Sequence, residues 1–183
     1  MNSGRLIVLT GPSGVGKGTL LKALLQAHSE LYLSISATTR APRAGEIEGI
    51  NYYFFDRPQF EQAIQDGELL EWAEFAGNYY GTPIQPVRDR ITAGGLMILE
   101  IELLGARQVA KIFPEALRIF ILPPSMEVLE ERLRSRAQDA EEAILERLAV
   151  ARSEIAAADE FDLQIVNDNL DNALAEIEVA IFG

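Results

Sequence analysis

Gly11-Pro12-Ser13-Gly14-Val15-Gly16-Lys17-Gly18-Thr19 is a glycine-rich segment that surrounds a lysine, and the apolar run Leu6-Ile7-Val8-Leu9 precedes it. The residues that follow, 20–27, are largely apolar and typical of a helix. A strand, a glycine-rich turn and a helix start, in this order, are the context of a phosphate-binding loop. The backbone N–H groups of such a loop point inward, and the helix N-terminus attracts the same anion. We therefore predict that residues 11–19 bind the phosphates of a nucleotide, with Lys17 reaching the β- and γ-phosphates.

The residue after the lysine departs from the usual pattern of this loop. Gly18 stands where a serine or threonine is expected, and Thr19 follows one position later. The expected hydroxyl is a Mg²⁺ ligand in many nucleotide-binding enzymes. We expect Thr19 to hold Mg²⁺ through water or from a shifted position. The alternative interpretation of the whole segment is a glycine-rich turn that contains a lysine by chance.

The composition describes a globular and strongly acidic chain. Its 183 residues are 48% hydrophobic and carry a formal net charge of −12. This length suits one domain, and this apolar share excludes a disordered chain. A polyanion repels nucleic-acid backbones and anionic membranes, so we expect neither as a partner. An anionic substrate must therefore be held by a local cluster of basic side chains.

Cysteine is absent, and no apolar run approaches the roughly 20 residues that span a membrane. The first five residues do not have the layout of a secretory signal. We expect a cytoplasmic protein without disulfides.

Strand and helix patterns alternate along most of the chain. The predicted strands are 6–9, 31–36, 52–55, 69–75, 96–101, 117–122 and 163–166. The predicted helices are 17–27, 56–66, 84–93, 103–112, 126–136, 139–158 and 170–182, of which the second begins at Asp56 with Gln59 three residues later. Such alternation predicts an α/β fold with a parallel sheet covered by helices on both faces.

Residues 34–83 break this alternation because they are rich in aromatic residues and in turn signals. We predict loops at 37–46 and 77–83, and an inserted subdomain over 34–83. The arginine-rich stretch 126–150 is predicted to be a mobile flap. The chain is then a single domain, 1–183, whose core consists of 1–33, 84–125 and 151–183.

Five segments of the sequence resemble guanylate kinase, a family of P-loop nucleoside monophosphate kinases. They are GPSGVGK at 11–17, SATTRAPRAGE at 36–46, EWAEF at 71–75, GNYYG at 77–81 and IVND at 165–168. The likeness covers nearly the whole chain, and residues 38–46 are its most specific part. It implies a P-loop kinase with an inserted GMP-binding α+β subdomain and a helical lid. It also implies transfer of the γ-phosphoryl group from MgATP to GMP, giving ADP and GDP.

Arg40 and Arg43 are two guanidinium groups on one predicted loop, which suits a dianionic phosphate. The resemblance implies that both arginines, together with Tyr52 and Tyr80, hold the phosphate of GMP. The alternative is a solvated charge cluster beside core tyrosines.

Guanine presents two adjacent donors, N1–H and the 2-amino group, and a carboxylate can accept from both. Adenine places a lone pair at N1 instead, which leaves a buried carboxylate unpaired. The resemblance implies that Glu71 and Glu102 read guanine, with the hydroxyls of Ser36 and Thr82 near the base. Without it, Glu71 would be interpreted as a solvated residue on a half-exposed strand.

The stretch 100–104 departs from the family pattern, which is usually Asp-x-Asp followed by Gln two residues later. The corresponding residues here are Glu100, Glu102 and Leu104. Glu100 ends a predicted buried strand opposite the phosphate loop, where a carboxylate can hold the hydration shell of Mg²⁺. The alternative is a strand-end carboxylate in solvent.

Arg132, Arg136 and Arg147 correspond to the arginines of the family's closing flap, which reach the transferring phosphoryl group. Arg132 and Arg136 are four residues apart and share a helix face. The usual Arg-Gly-Thr-Glu after this helix reads Arg136-Ala137-Gln138-Asp139 here. The alternative is a basic helix face that pairs with nearby glutamates.

Two other functions remain open at this point. Guanylate-kinase-like domains of scaffold proteins keep the fold as binding modules but tend to lose the phosphate loop, which this chain retains. A P-loop kinase for another nucleoside monophosphate is the second alternative. Glu71 together with Arg40 and Arg43 favours GMP.

Overall fold

A computed structural model describes residues 4–135 and 140–183. In chain order its strands are Arg5–Thr10 (β1), Leu31–Leu33 (β2), Ala37–Thr38 (β3), Tyr53–Phe54 (β4), Leu69–Phe75 (β5), Asn78–Pro83 (β6), Leu96–Glu100 (β7), Leu117–Leu122 (β8) and Leu163–Val166 (β9). Its α-helices are Lys17–Ala27 (α1), Arg57–Gln65 (α2), Ile84–Thr92 (α3), Leu103–Ile112 (α4), Met126–Ser135 (α5), Glu141–Ile155 (α6) and Leu170–Phe182 (α7), and a short 3-10 helix spans Ala158–Glu160.

The larger sheet has five strands in the order β2-β7-β1-β8-β9, and each neighbouring pair is parallel. Alternate side chains of the central strand β1 lie on opposite faces of the sheet, in two separate hydrophobic cores. Leu6 and Val8 pack into one core, whereas Ile7 and Leu9 pack into the other. Helices α3 and α4 cover the first face, and α1 and α7 cover the second. The predicted α/β fold, with a parallel sheet between two layers of helices, is therefore confirmed.

The smaller sheet has four strands in the order β4-β3-β6-β5, and all of them fall within residues 34–83. Helix α2 packs against this sheet through Phe60 and Ala63, which form a small core with Ala37 and Leu69. Strand β5 is an edge strand of this sheet. The chain thus enters the smaller sheet after β2 and returns to the larger one through α3.

Both loops predicted in this segment contain strands, so these two predictions are partly wrong. Strands β3 and β6 pair antiparallel, with Thr38 opposite Tyr80. The turn signals around Gly77 mark only a two-residue hairpin turn, in which Ala76 and Gly77 have φ angles of 49° and 77°. Two positive φ angles in succession match the twist of the strands that the turn joins. Glycine and asparagine therefore indicated a turn, but not its short extent.

The ends of other strands and helices differ from their predicted positions by a few residues. Strand β2 ends at Leu33 rather than at residue 36. Helix α6 begins at Glu141 after Ala140, and it ends at Ile155 rather than at residue 158. Residues 136–139 of the predicted helices lie outside the described residues. Within 4–135 and 140–183, no helix has both the length and the apolar character that crossing a membrane requires.

The predicted start of α2 is confirmed by a reciprocal pair of hydrogen bonds. The Asp56 carboxylate accepts from the Gln59 backbone N–H at 2.8 Å, and the Gln59 side-chain oxygen accepts from the Asp56 N–H at 2.8 Å. This capping box satisfies two N–H groups that a helix start leaves without partners.

We expect Asp56→Ala to lower the free energy of unfolding by about 1 kcal/mol, because the N-cap acceptor is lost. Asp56→Asn keeps an acceptor oxygen and should remain within about 0.5 kcal/mol of wild type. Urea denaturation followed by circular dichroism measures both. Equal losses in the two variants would contradict the capping interpretation.

Candidate active site

The phosphate-binding loop joins β1 to α1 and lines a cavity of about 590 Å³. Gly16 is the N-cap of α1 with a φ of 103°, a left-handed conformation that favours glycine. A Cβ at Gly16 would also lie 2.5 Å from the side-chain nitrogen of Asn167, so glycine is required here for space as well. The first turn of α1 carries no acidic side chain. Its N–H groups and positive dipole end are thus suited to an anion.

Lys17 folds back over the loop that precedes it. Its Nζ donates to the carbonyl of Gly11 and, at 3.3 Å, to the carbonyl of Pro12. Burial lowers the pKa of Lys17, and the carboxylates of Glu100, Glu102 and Glu154 oppose that shift. This lysine therefore places its charge at the phosphate-binding loop and within the field of three acidic side chains.

A second cavity, of about 620 Å³, lies between the smaller sheet and the core. Four predicted site residues from the 34–83 segment line this cavity: Ser36, Tyr52, Glu71 and Tyr80. On the core side, Glu102 and Glu154 line it. The two cavities have four lining residues in common: Tyr52, Glu100, Ile101 and Glu102. The cavities thus adjoin along one wall, and a ligand in one can approach a ligand in the other.

Glu71 is only 7% exposed, so the interpretation of this residue as a solvated one is wrong. Its side chain faces helix α4 instead of solvent, since a Cβ at Gly105 would lie 2.7 Å from Glu71 Oε2. The Thr82 hydroxyl donates to Glu71 Oε1 at 2.6 Å. Burial raises the pKa of Glu71, although the hydrogen bonds from Thr82 oppose the shift. A buried carboxylate therefore borders the larger cavity, and Thr82 contributes by holding it.

Arg40 is paired within its own loop. Its guanidinium donates twice to the Glu46 carboxylate, at 3.0 and 2.8 Å, and lies 5.4 Å from the ring centroid of Tyr52. These hydrogen bonds raise the pKa of Arg40. Glu46 also accepts from the backbone N–H of Arg43 at 2.7 Å. Neither arginine lines the two cavities, although the Arg40 guanidinium interacts with Tyr52 and Tyr80, which do.

Glu46 is a site residue that the sequence reasoning missed. It organises the loop of both arginines by binding the side chain of one and the backbone of the other. An acidic residue six positions after an arginine, beyond a Pro and a Gly, was the available signal.

Arg132 reaches the phosphate-binding loop from α5. It donates to the carbonyl of Val15 at 3.2 Å and to the carbonyl of Asn167 at 2.9 Å. The buried Asn167 side chain donates to the same Val15 carbonyl at 2.8 Å. No local pattern in the sequence indicates a role for Asn167 beyond its place in IVND. Its side chain connects the end of the last strand to the loop.

The remaining predicted site residues do not all lie at the two cavities. Arg147 is exposed on α6 and is absent from the lining of either cavity. Arg136 lies outside the described residues. Thr19 lines the smaller cavity, and Glu100 is an exposed strand-end residue on the common wall. Among residues 4–135 and 140–183, no three His, Cys, Asp or Glu side chains are grouped to hold a metal ion.

A family model described as guanylate kinase matches residues 3–182 of the chain. The chain belongs to the guanylate kinase family.

Individual relatives agree over the whole length. A guanylate kinase of Trichormus variabilis is 65% identical over 182 residues, which cover 100% of this chain and 92% of the relative. A guanylate kinase of Synechococcus elongatus is 58% identical, with 100% of both chains covered. The crystal structure of guanylate kinase from Anaplasma phagocytophilum has a TM-score of 0.74 at 35% identity and covers 99% of this chain and 86% of that chain. The guanylate kinase similarity thus includes the core and residues 34–83 alike.

The raised pKa of Glu71 predicts a pH dependence of stability. The folded-state pKa lies above the ordinary value of 4.5, so the unfolded chain loses this proton first as the pH rises. The stability that protonated Glu71 contributes is present below pH 4.5 and is lost as the pH rises through the folded-state pKa. Glu71→Gln cannot titrate. We expect the free energy of unfolding of wild type, relative to Glu71→Gln, to fall as the pH rises above 4.5.

Urea denaturation of both proteins at several pH values measures this difference. The comparison cancels other titrating groups, because both proteins share them. A difference that stays constant over this range would show that burial does not shift the pKa of Glu71.

Proposed function

We propose that this protein is a guanylate kinase that transfers the γ-phosphoryl group of ATP to GMP, giving ADP and GDP. The observation that carries this function is the buried Glu71 carboxylate, in a cavity that adjoins the cavity of the phosphate-binding loop. Membership of the guanylate kinase family supports the same activity. We assign the reaction to purine nucleotide metabolism in the cytoplasm.

The smaller cavity is the proposed site of MgATP. Residues 11–19 surround the phosphates with backbone N–H groups, and Lys17 adds a positive charge at the β- and γ-phosphates. The Thr19 hydroxyl and the Glu100 carboxylate both border this cavity, and oxygen donors are the ligands that Mg²⁺ prefers. We propose that these two residues hold the Mg²⁺ of MgATP, through water where the side chains do not reach it. The bound ion neutralises charge on the phosphates.

The larger cavity is the proposed site of GMP. Glu71 accepts from N1–H and the 2-amino group of guanine, and Glu102 and Ser36 complete the base site. Thr82 keeps the Glu71 carboxylate in place through its 2.6 Å hydrogen bond. The phosphate of GMP then lies toward Tyr52 and Tyr80, whose rings are 6.3 Å apart.

Arg40 and Arg43 complete the proposed phosphate site. Arg40 is already above the Tyr52 ring, and Glu46 holds its guanidinium through two hydrogen bonds. A guanidinium has five N–H donors, so Arg40 can bind a phosphate oxygen with donors that Glu46 leaves unused. Closure of the 34–83 segment toward the core would bring both arginines to the cavity.

In the reaction, an oxygen of the GMP phosphate attacks the γ-phosphorus, the bond from that phosphorus to the bridging β–γ oxygen breaks, and ADP leaves. The second pKa of a phosphate monoester is about 6, so the attacking oxygen needs no general base at neutral pH. Catalysis then rests on alignment and on neutralisation of charge by Lys17 and by Arg132, Arg136 and Arg147. The lid over 126–150 stays a prediction, and its residues 136–139 lie outside the described part of the chain.

Two alternative functions are not favoured. A non-catalytic binding module has no need for a retained phosphate-binding loop, and the relatives named guanylate kinase match the full chain at up to 65% identity. A kinase for AMP or CMP would place one amino donor beside a ring-nitrogen lone pair at the buried carboxylate, whereas guanine offers two adjacent donors.

A panel of acceptors tests the proposed function. GMP, dGMP, IMP, AMP, CMP and UMP are each incubated with MgATP and the protein, and ADP formation is followed by a coupled assay. We expect GMP to have the highest kcat/KM. Absence of ADP formation with every acceptor would favour the binding module, and a preference for another base would favour a different kinase.

We expect Lys17→Met to lower kcat by at least about 100-fold, because a charge that stabilises the transferring group is lost. Lys22→Met, on the exposed side of the same helix, is the matched control and should keep near-normal turnover. Circular dichroism reports whether both variants are folded. Normal turnover of a folded Lys17→Met protein would disprove the role of the phosphate-binding loop.

Glu71→Gln should lower kcat/KM for GMP by about 30- to 1,000-fold, because one guanine donor then faces an NH₂ group and the charge is lost, a cost of roughly 2–4 kcal/mol. The new amide can donate to N1 of adenine and accept from its 6-amino group. AMP should therefore lose less activity than GMP, with the KM for ATP almost unchanged. Glu68→Gln, an exposed neighbour, serves as the control. An unchanged ratio of GMP to AMP activity would place guanine recognition elsewhere.

A further inference from the structure

Strand β5 carries Glu71 at the outer edge of the smaller sheet. Its inner side pairs with β6, where Trp72 lies opposite Gly81. Within residues 4–135 and 140–183, no strand pairs with its outer side, since β5 ends the order β4-β3-β6-β5. The backbone groups on this outer side need another partner to keep the strand in a defined position.

Gln108 of α4 supplies that partner. Its side-chain oxygen accepts from the Trp72 backbone N–H at 3.1 Å, and its side-chain nitrogen donates to the Trp72 carbonyl at 3.0 Å. One amide side chain thus reproduces the donor and the acceptor that a neighbouring strand would present. Both bonds are made at the residue directly after Glu71. They join the smaller sheet to a helix of the core.

Gly105 lies three residues before Gln108 and therefore on the same face of α4. A Cβ at this position would approach Glu71 Oε2 to 2.7 Å and Glu71 Cδ to 3.2 Å. The carboxylate thus occupies the space that a side chain would take. With Thr82 on its other oxygen, Glu71 is located by contacts from two directions.

We propose that Gly105 and Gln108 are specificity-determining positioning residues, which form a seat on α4 that holds the Glu71 carboxylate against the guanine base. Gln108 fixes the position of strand β5 relative to helix α4, and Gly105 leaves room for the Glu71 carboxylate. The inference rests on the proposed function, because it concerns how the guanine-reading group is positioned. Gly105 and Gln108 act by positioning Glu71, and neither takes part in phosphoryl transfer.

The test compares GMP with IMP, which has N1–H and O6 but lacks the 2-amino group. A displaced Glu71 loses two contacts to GMP and only one to IMP, so the ratio of their kcat/KM values must fall. Gln108→Met keeps the length of the side chain without its hydrogen bonds. We expect this variant to lower the ratio about threefold to tenfold, with the KM for ATP changed by less than about twofold.

Stability should change little in Gln108→Met. Trp72 is 37% exposed, so water can replace the two lost hydrogen bonds. We expect a melting temperature within about 2 °C of wild type. Gln62→Met is the matched control, because Gln62 is an exposed residue of α2 that bonds to Asp66 and lines neither cavity. It should leave the ratio unchanged.

Gly105→Ala tests the second part of the seat. Alanine favours helix over glycine, so the fold should survive while the methyl group displaces the carboxylate. We expect the same fall in the GMP-to-IMP ratio, about tenfold, again with little effect on the KM for ATP. If Gln108→Met does not fold, this variant carries the test alone.

A double mutant identifies the route of the effect. If Gln108 acts through Glu71, adding Gln108→Met to Glu71→Gln should produce no further fall in the ratio. A further fall of the same size would overturn the inference, because Gln108 would then act independently of Glu71. An unchanged ratio in both single variants would overturn it as well and would leave the proposed function intact. A wild-type protein that does not phosphorylate GMP would instead overturn the proposed function, and this inference with it.

Discussion

The carbonyl of Val15 is the point at which three parts of the molecule meet. It belongs to the phosphate-binding loop, and it accepts hydrogen bonds from the buried Asn167 side chain and from Arg132. Backbone N–H groups of the loop can point inward at an anion only if its carbonyls find partners elsewhere. Asn167 at the end of β9 and Arg132 on α5 provide those partners. The shape of the loop thus depends on residues more than 110 positions away in the sequence.

The cavity of the phosphate-binding loop shares a wall with the larger cavity. Strand β7 ends beside the phosphate-binding loop, so Glu100, Ile101 and Glu102 face both cavities. The wall is acidic, and the chain as a whole carries a net charge of −12. Cations lie at two places near this wall: Lys17 and Arg132 at the phosphate-binding loop, and Arg40 beside the Tyr52 ring. Positive charge at these two places supports the proposed binding of two nucleotides with their phosphates toward each other.

Local sequence patterns predict those features of the fold that depend on neighbouring residues. The phosphate-binding loop, the capping box at Asp56 and the buried strands depend on neighbouring residues, and each was predicted within a few positions. The strand β3 was not predicted, because Ala37–Thr38 is too short for a local pattern and becomes a strand by pairing with β4 and with the distant β6. The strand β6 was not predicted, because the turn residues in Asn78–Pro83 conceal its hairpin pairing with β5. Glu46 was missed for a similar reason, since its partner Arg40 is brought to it by the folding of the loop.

From the sequence alone one obtains the fold class, the phosphate-binding loop and the family to which the chain belongs, because these depend on motifs of contiguous residues. Only the tertiary structure established that Glu71 is buried. Alternation along β5 predicts a half-exposed strand, and no local pattern reveals that α4 covers it with a glycine at position 105. Burial is a property of the residues that pack against a side chain, and those residues come from distant parts of the chain.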